Sequence, residues 1–216
     1  MNEKELQNII IELRNLFLDK KVLGKYTEST NNIEDRMKHP EILHGLDPKL
    51  RKISKPYTFH GDSLSAFDES ALTEAFIVLA ESASWSLSLP QIGELRRGIV
   101  LDLKYWGLPS PSIDENPDEC PYQDILINPE IIETSKDFIN TFEKCPSFPS
   151  VVLIIPRPSW VKIKFLTPYR ETIENIFSGS LGAVLQHEME HLDGILFIDH
   201  LTLERREKIL RKLRVK

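Results

Sequence analysis

A chain of 216 residues at 24.9 kDa is a usual length for one domain and short for two, so a single core with an appended arm is expected. With 41 % hydrophobic and 28 % charged residues it carries enough apolar side chain to fold, which excludes wholesale disorder, and its net charge of -6 excludes a general affinity for phosphate backbones. No apolar run approaches the ~18 residues that cross a bilayer, and the start MNEKELQ carries acids where an export signal needs basic residues, so a cytoplasmic protein with reduced thiols at Cys120 and Cys145 is expected.

In chain order, Leu6, Ile9, Ile10, Leu13, Leu16 and Phe17 have helical spacing, so an amphipathic helix is predicted over residues 3–18. Residues 20–46 are polar and read as a surface crossing, which makes residues 1–44 an N-terminal extension and residues 45–216 the main domain. A second helix is predicted over residues 69–82, with Leu72, Ala75, Phe76 and Leu79 on one side and Ser70 as a cap. Short β-branched runs follow over residues 98–103, 124–127, 131–134, 151–155 and 160–166, expected as antiparallel strands. Between the first two, residues 107–121 hold four prolines and four acids and read as an exposed loop containing Cys120. A third helix is predicted over residues 180–193, stopped by Gly194 in a left-handed conformation, and a fourth from Leu203 to the end. The predicted fold class is α+β, with antiparallel sheets packed around the third helix and helices at both termini.

His187-Glu188-Met189-Glu190-His191 carries the chemistry. Two imidazoles four residues apart on a helix project from one face and reach one divalent ion, and the glutamate between them is placed to act as a base. At about 100° per residue Glu188 falls inside the apolar arc of Leu181, Val184, Leu185 and Leu192. A carboxylate facing a core is costly without a partner, and the protons of a metal-activated water give it one. Catalytic zinc-type sites use three protein ligands, so one more is required; Cys145, Asp199, His200 and Cys120 are the candidates, and spacing does not choose among them.

Three segments together resemble the peptide deformylases, metallohydrolases that remove the formyl group from the N-terminal methionine of new bacterial and organellar chains. The family's third motif, Gln-His-Glu-x-Asp-His, is matched by Gln186 to His191 and continues through Leu192-Asp193-Gly194-Ile195-Leu196-Phe197-Ile198-Asp199. Its second, Glu-Gly-Cys-Leu-Ser, is matched by Glu143-Lys144-Cys145-Pro146-Ser147. Its first, Gly-apolar-Gly-Leu-Ala-Ala-Pro-Gln, is matched by Ser84-Trp85-Ser86-Leu87-Ser88-Leu89-Pro90-Gln91. Asp47 to Arg51 and Ser54 are similar to the family's opening, so the resemblance spans residues 45–216. It implies that Cys145, His187 and His191 hold one Fe(II) or Zn(II), that Glu188 shuttles the proton of the attacking water, and that Gln91 binds the oxyanion. It further implies that Ser84, Trp85, Ser86, Leu87, Pro146 and Arg157 line the path of a formylmethionyl peptide, and that the basic C-terminal helix, with Arg205, Arg206, Lys208, Arg211 and Lys212, docks on the ribosome.

The departures from the pattern concentrate on substrate handling. Pro146 has no N–H where the family uses one on the oxyanion, a loss that elsewhere costs about 2.7–4 kcal/mol, a factor of roughly 10² to 10³ in rate. Ser84 and Ser86 place side chains where the family has glycine, so a narrower mouth is expected. Glu190 for Asp is a one-methylene change next to a ligand, and Lys144 for Gly adds a charge. The expected protein is therefore a deformylase of reduced or altered activity; the alternative is a non-catalytic metalloprotein whose fold serves binding.

Overall fold

The computed structural model describes residues 40–59, 64, 66–82, 84–101 and 125–214. The predicted N-terminal helix, nearly all of the polar crossing, the acidic loop and Cys120 lie outside the described residues. The chain enters through a short 3-10 turn, Pro48–Arg51, where the Asp47 carboxylate accepts the Lys49 N–H at 2.8 Å. Helix α1 follows at Ala66–Ser82. It starts ahead of the predicted residue 69, so Ser70 lies inside it and donates to Glu74 Oε1 at 3.3 Å instead of capping. Leu72, Ala75, Phe76 and Leu79 are buried as predicted, but so are Ala71, Ile77 and Val78, because α1 is covered on more than one side.

Strands β1 (Ser86–Ser88), β2 (Gly98–Leu101), β3 (Ile125–Thr134), β6 (Trp160–Leu166) and β7 (Thr172–Ser178) form one sheet in the order β1-β2-β3-β6-β7, and β4 (Phe138–Lys144) pairs with β5 (Val152–Pro158) in a separate hairpin. Every pairing between these strands is antiparallel, as expected. The runs predicted over 124–127 and 131–134 are one strand. Pro129 lacks an N–H for the ladder, and the register shifts between Ile127 and Glu130 absorb it. Asn128 takes φ +50° in this bulge, and its side-chain amide bonds both backbone groups of Tyr57, at 2.7 and 3.0 Å. β1, β4 and β7 are additions to the predicted set.

Alternation along the strands supplies two apolar faces. Leu87, Val100, Ile125 and Ile127 pack with α1, whereas Ile99, Leu101, Leu126, Val161, Ile163 and Phe165 pack with Leu185, Met189 and Leu192 of helix α2, Gly179–Leu192. The sheet thus lies between the two helices and holds α2 by its buried stripe. Gly182 permits this approach, since a Cβ there would stand 2.7 Å from the Phe177 carbonyl oxygen. At the other end of α2, Gly194 takes φ +72° as predicted, and a Cβ would meet the Arg51 carbonyl oxygen at 2.6 Å. The chain then folds through the 3-10 turn Phe197–His200 into helix α3, Leu203–Arg214. Leu213 of α3 joins Leu50, Cys145, Phe148, Leu196, Phe197 and Ile198 in a third apolar cluster beside the histidines. Among the described residues, no helix is long and apolar enough to cross a membrane.

Candidate metal centre and catalytic cleft

Cys145 follows directly on β4, in the turn that leads to β5, and its Sγ lies 3.3 Å from His191 Nε2. One ligand atom from each of Cys145, His187 and His191 falls within 4.8 Å of the other two, and all three residues are buried. The helical spacing of the histidines and the predicted third ligand therefore converge. Asp199 instead pairs with Arg51 and Arg206, and His200 with Glu190, so neither of these candidates joins the cluster.

The donor set fits a transition metal. His187 Nδ1 lies 2.9 Å from Glu143 Oε2, which makes it the protonated nitrogen and turns the lone pair of Nε2 inward; Nε2 is buried and has no protein hydrogen-bond partner. An unpaired buried imidazole nitrogen beside a thiol and a second imidazole has the chemistry of a metal ligand, and a sulfur and two nitrogens suit a borderline or soft ion. The His187 ring is also packed edge-on against Phe197, with centroids 5.4 Å apart.

Glu143 anchors this arrangement. Arg157 Nε donates to Glu143 Oε1 at 2.8 Å and its Nη2 to Oε2 at 3.0 Å. Burial favours the neutral carboxyl, but hydrogen bonds from His187 and Arg157 outweigh it and hold Glu143 down at about 2. Arg157 also donates twice to Glu190, at 2.5 and 2.9 Å, and Glu190 Oε1 lies 2.8 Å from His200 Nε2. Burial opposes the charge on Glu190 too, and the bonds from His200 and Arg157 keep it below the usual carboxylate range. The extra methylene of Glu190 thus serves an ionic chain running His187, Glu143, Arg157, Glu190, His200. Glu190 was expected only to re-aim a hydrogen bond beside the ligands, and the role of Glu143 was not expected from the sequence, although Glu143 stands two positions before Cys145 and its side chain faces inward on β4.

Glu188 is 2 % exposed. Its Oε1 accepts the Ser86 hydroxyl at 2.6 Å, while Oε2 is buried without a protein partner. Gln91, fully buried in the 3-10 turn Leu89–Ile92, has its amide oxygen held by the Ser88 N–H at 2.9 Å. Its amide nitrogen is aimed at Cys145 Sγ and Ser147 Oγ, at 3.6 and 3.5 Å. Gln91 therefore faces the ligand cluster, and Glu188 shares a cleft with His187. The chain entering the domain fastens this region, with Leu43 N–H on the Gln91 carbonyl and Gly45 N–H on the Ser147 carbonyl, each at 2.7 Å.

A cleft of about 680 Å³ opens onto His187 and Glu188 between β1, β4 and the start of α2. Ser84, Trp85, Ser86 and Pro146 line it, as expected. Two expectations are corrected. The Leu87 side chain is fully buried in the α1 cluster, because alternation in β1 turns it away from its serine neighbours. Arg157 lies off the cleft with its guanidinium committed to the carboxylates of Glu143 and Glu190, the first of which also meets His187. Lys144 also lines the cleft, from an exposed position.

Comparison with known proteins agrees with this geometry. Residues 40–207 match the family described as Polypeptide deformylase. The peptide deformylase of Erythrobacter litoralis is 30 % identical over 191 residues, covering 81 % of this chain and 95 % of that protein. That of Caulobacter vibrioides is 33 % identical over 165 residues, covering 76 % and 87 %. Among solved structures, a peptide deformylase from Synechococcus elongatus in complex with actinonin superposes with TM-score 0.67 at 26 % identity, covering 82 % of this chain and 89 % of that one. A Plasmodium falciparum peptide deformylase complexed with an inhibitor gives 0.64 at 29 % identity, covering 81 % and 97 %.

The Glu143 clamp makes a direct prediction. Glu143→Gln keeps the shape but removes the charge on which His187 and Arg157 converge, so metal affinity should fall by about 10–100-fold in a chelator competition. An affinity equal to that of the unaltered chain would show that Glu143 does not support the ligands.

Proposed function

The chain belongs to the polypeptide deformylase family, and on that premise we propose that Cys145, His187 and His191 hold one Fe(II) or Zn(II), at which the formyl group of a formylmethionyl peptide is removed. The single observation that carries the proposal is the convergence of these three ligand atoms beside a buried carboxylate with one unpartnered oxygen. Bound there, the ion supplies Lewis acidity, making a water acidic near neutral pH and polarising the formyl oxygen.

The chain's own residues supply the rest. Glu188 Oε2 is free to take the proton of the attacking water and to deliver it to the departing amine nitrogen, so the peptide leaves neutral. Gln91 Nε2, whose contacts with Cys145 and Ser147 are long, can donate to the oxyanion as negative charge develops on the formyl oxygen. Pro146 offers no backbone donor at this point, so the amide of Gln91 bears more of that charge than in the family pattern. The strand β1 is at the end of its sheet, with β2 on one side only, and an extended peptide can lie along it in the cleft. The apolar lining from Trp85, Ile139 and Val184 suits a methionine side chain.

We place the reaction in the cytoplasm, on chains emerging from the ribosome, with the residues ahead of 40 as an extension and residues 40–44, expected as part of that extension, belonging to the catalytic unit. Helix α3 supports the ribosomal reading. Leu213 is buried and Ile209 and Leu210 half-buried on one side, which leaves Arg205, Lys208, Arg211 and Lys212 exposed. Reversing Arg205, Lys208 and Lys212 to Glu should abolish co-sedimentation with ribosomes at low salt and leave peptide turnover unchanged; co-sedimentation equal to the parent would exclude this face.

For the reaction itself, the metal-loaded chain should release formate from a formylmethionyl peptide. Glu188→Ala should lower kcat by at least about 10²-fold with the metal retained, and Pro146→Leu, which restores an N–H, should raise kcat by about 10–10³-fold. No release with iron, cobalt or zinc at full occupancy would favour the non-catalytic alternative.

A further inference from the structure

The first motif departs from its family pattern in a way that adds hydroxyl groups rather than only bulk. Ser86 stands where the pattern has glycine, and Ser88 where it has alanine. Residues two apart on a strand share a face, and both serines are buried on the side of β1 opposite Leu87. Each hydroxyl reaches one of the two side chains assigned to the chemistry. Ser86 Oγ donates to Glu188 Oε1 at 2.6 Å, and Ser88 Oγ donates to Gln91 Oε1 at 3.0 Å, beside the 2.9 Å bond from the Ser88 N–H.

We propose that Ser86 is a positioning residue for deformylation, its hydroxyl aligning the base from β1, whereas Gln91 is held by the Ser88 N–H, which makes the Ser88 hydroxyl the internal control. The inference rests on the role given above to Glu188. A carboxylate has two equivalent oxygens and a side chain with several rotamers, and a glycine at 86 would offer it no hydroxyl. With Ser86 on Oε1, the oxygen left for a reacting proton is Oε2, and its direction is set. For Gln91, two donors from one residue converge on a single atom, which identifies that atom as the amide oxygen and turns Nε2 toward the ligand cluster. The two bonds differ in redundancy. Glu188 Oε1 depends on one hydroxyl, whereas Gln91 Oε1 keeps a backbone donor without the Ser88 side chain.

The test uses the full, metal-loaded chain and a formylmethionyl peptide. Ser86→Ala should lower kcat by about tenfold or more with KM within about twofold, Ser86→Thr should recover most of the loss, and Ser88→Ala should change kcat by less than about threefold. Crystal structures of the metal-loaded proteins give a readout independent of rate: Glu188 should hold one carboxylate orientation in the parent and depart from it in Ser86→Ala. Parent-like kcat in Ser86→Ala, an unchanged Glu188 orientation, or a threonine variant no better than alanine would each overturn the inference. Failure of the underlying assignment is separately visible. Glu188→Ala turning over at the parent rate overturns the base role and this inference together, whereas an inactive Glu188→Ala beside a fully active Ser86→Ala overturns this inference alone.

Discussion

The buried carboxylate of Glu143 is held by two hydrogen bonds from Arg157 and one from His187, with the Thr141 hydroxyl also 2.9 Å from its Oε1, and the rest of the site takes its geometry from that contact. Burying a charge is unfavourable, and the bonds that offset the cost also do geometric work. They fix the tautomer of His187, orient its ring, and tie the β4–β5 hairpin to α2 at the level of the ligands. Removing one partner from such a buried group costs about 3–5 kcal/mol, so the contact is retained as a unit or lost as a unit. The glycine at 182, the left-handed turn at Gly194 and the apolar stripe of α2 fix the helix on which two ligands stand, while Glu143 brings the hairpin carrying the third to meet it.

Around this centre the substitutions redistribute hydrogen bonds without dismantling the chemistry. Glu190 reaches both Arg157 and His200, which extends the ionic chain toward the surface. Ser86 and Ser88 supply hydroxyls to Glu188 and Gln91 from β1. Pro146 removes a donor on the opposite wall of the cleft. Taken together, the changes remove a backbone donor from the loop after Cys145 and add hydroxyls on the strand before Gln91, while Cys145, His187, His191 and Glu188 keep the order and spacing of the family pattern.

Helix α2 was legible because its apolar spacing, its histidine pair and Gly194 all agree, and β6 because its alternation is regular and its bounds are those predicted. β4 was not legible. It turns Phe138 and Phe142 to solvent, 64 % and 79 % exposed, and Thr141 and Glu143 inward, which inverts the usual pattern and follows from the need to place Glu143 beneath His187. β1 is three residues long, too short for alternation to register. Pro129 divided β3 on paper, and the Asn128 bulge joins it in the fold. A motif match places Leu87 and Arg157 near the chemistry but carries no information on which way a side chain points. For that reason their expected contacts with substrate gave way to a core position and a carboxylate clamp.

The ligand set itself is tested most directly by X-ray absorption at the metal edge of the loaded chain. One sulfur at about 2.3 Å and two nitrogens at about 2.0–2.1 Å, with further scattering only from light atoms, is the result this structure requires. A spectrum with no sulfur neighbour would place Cys145 outside the metal's coordination and contradict the account at its base.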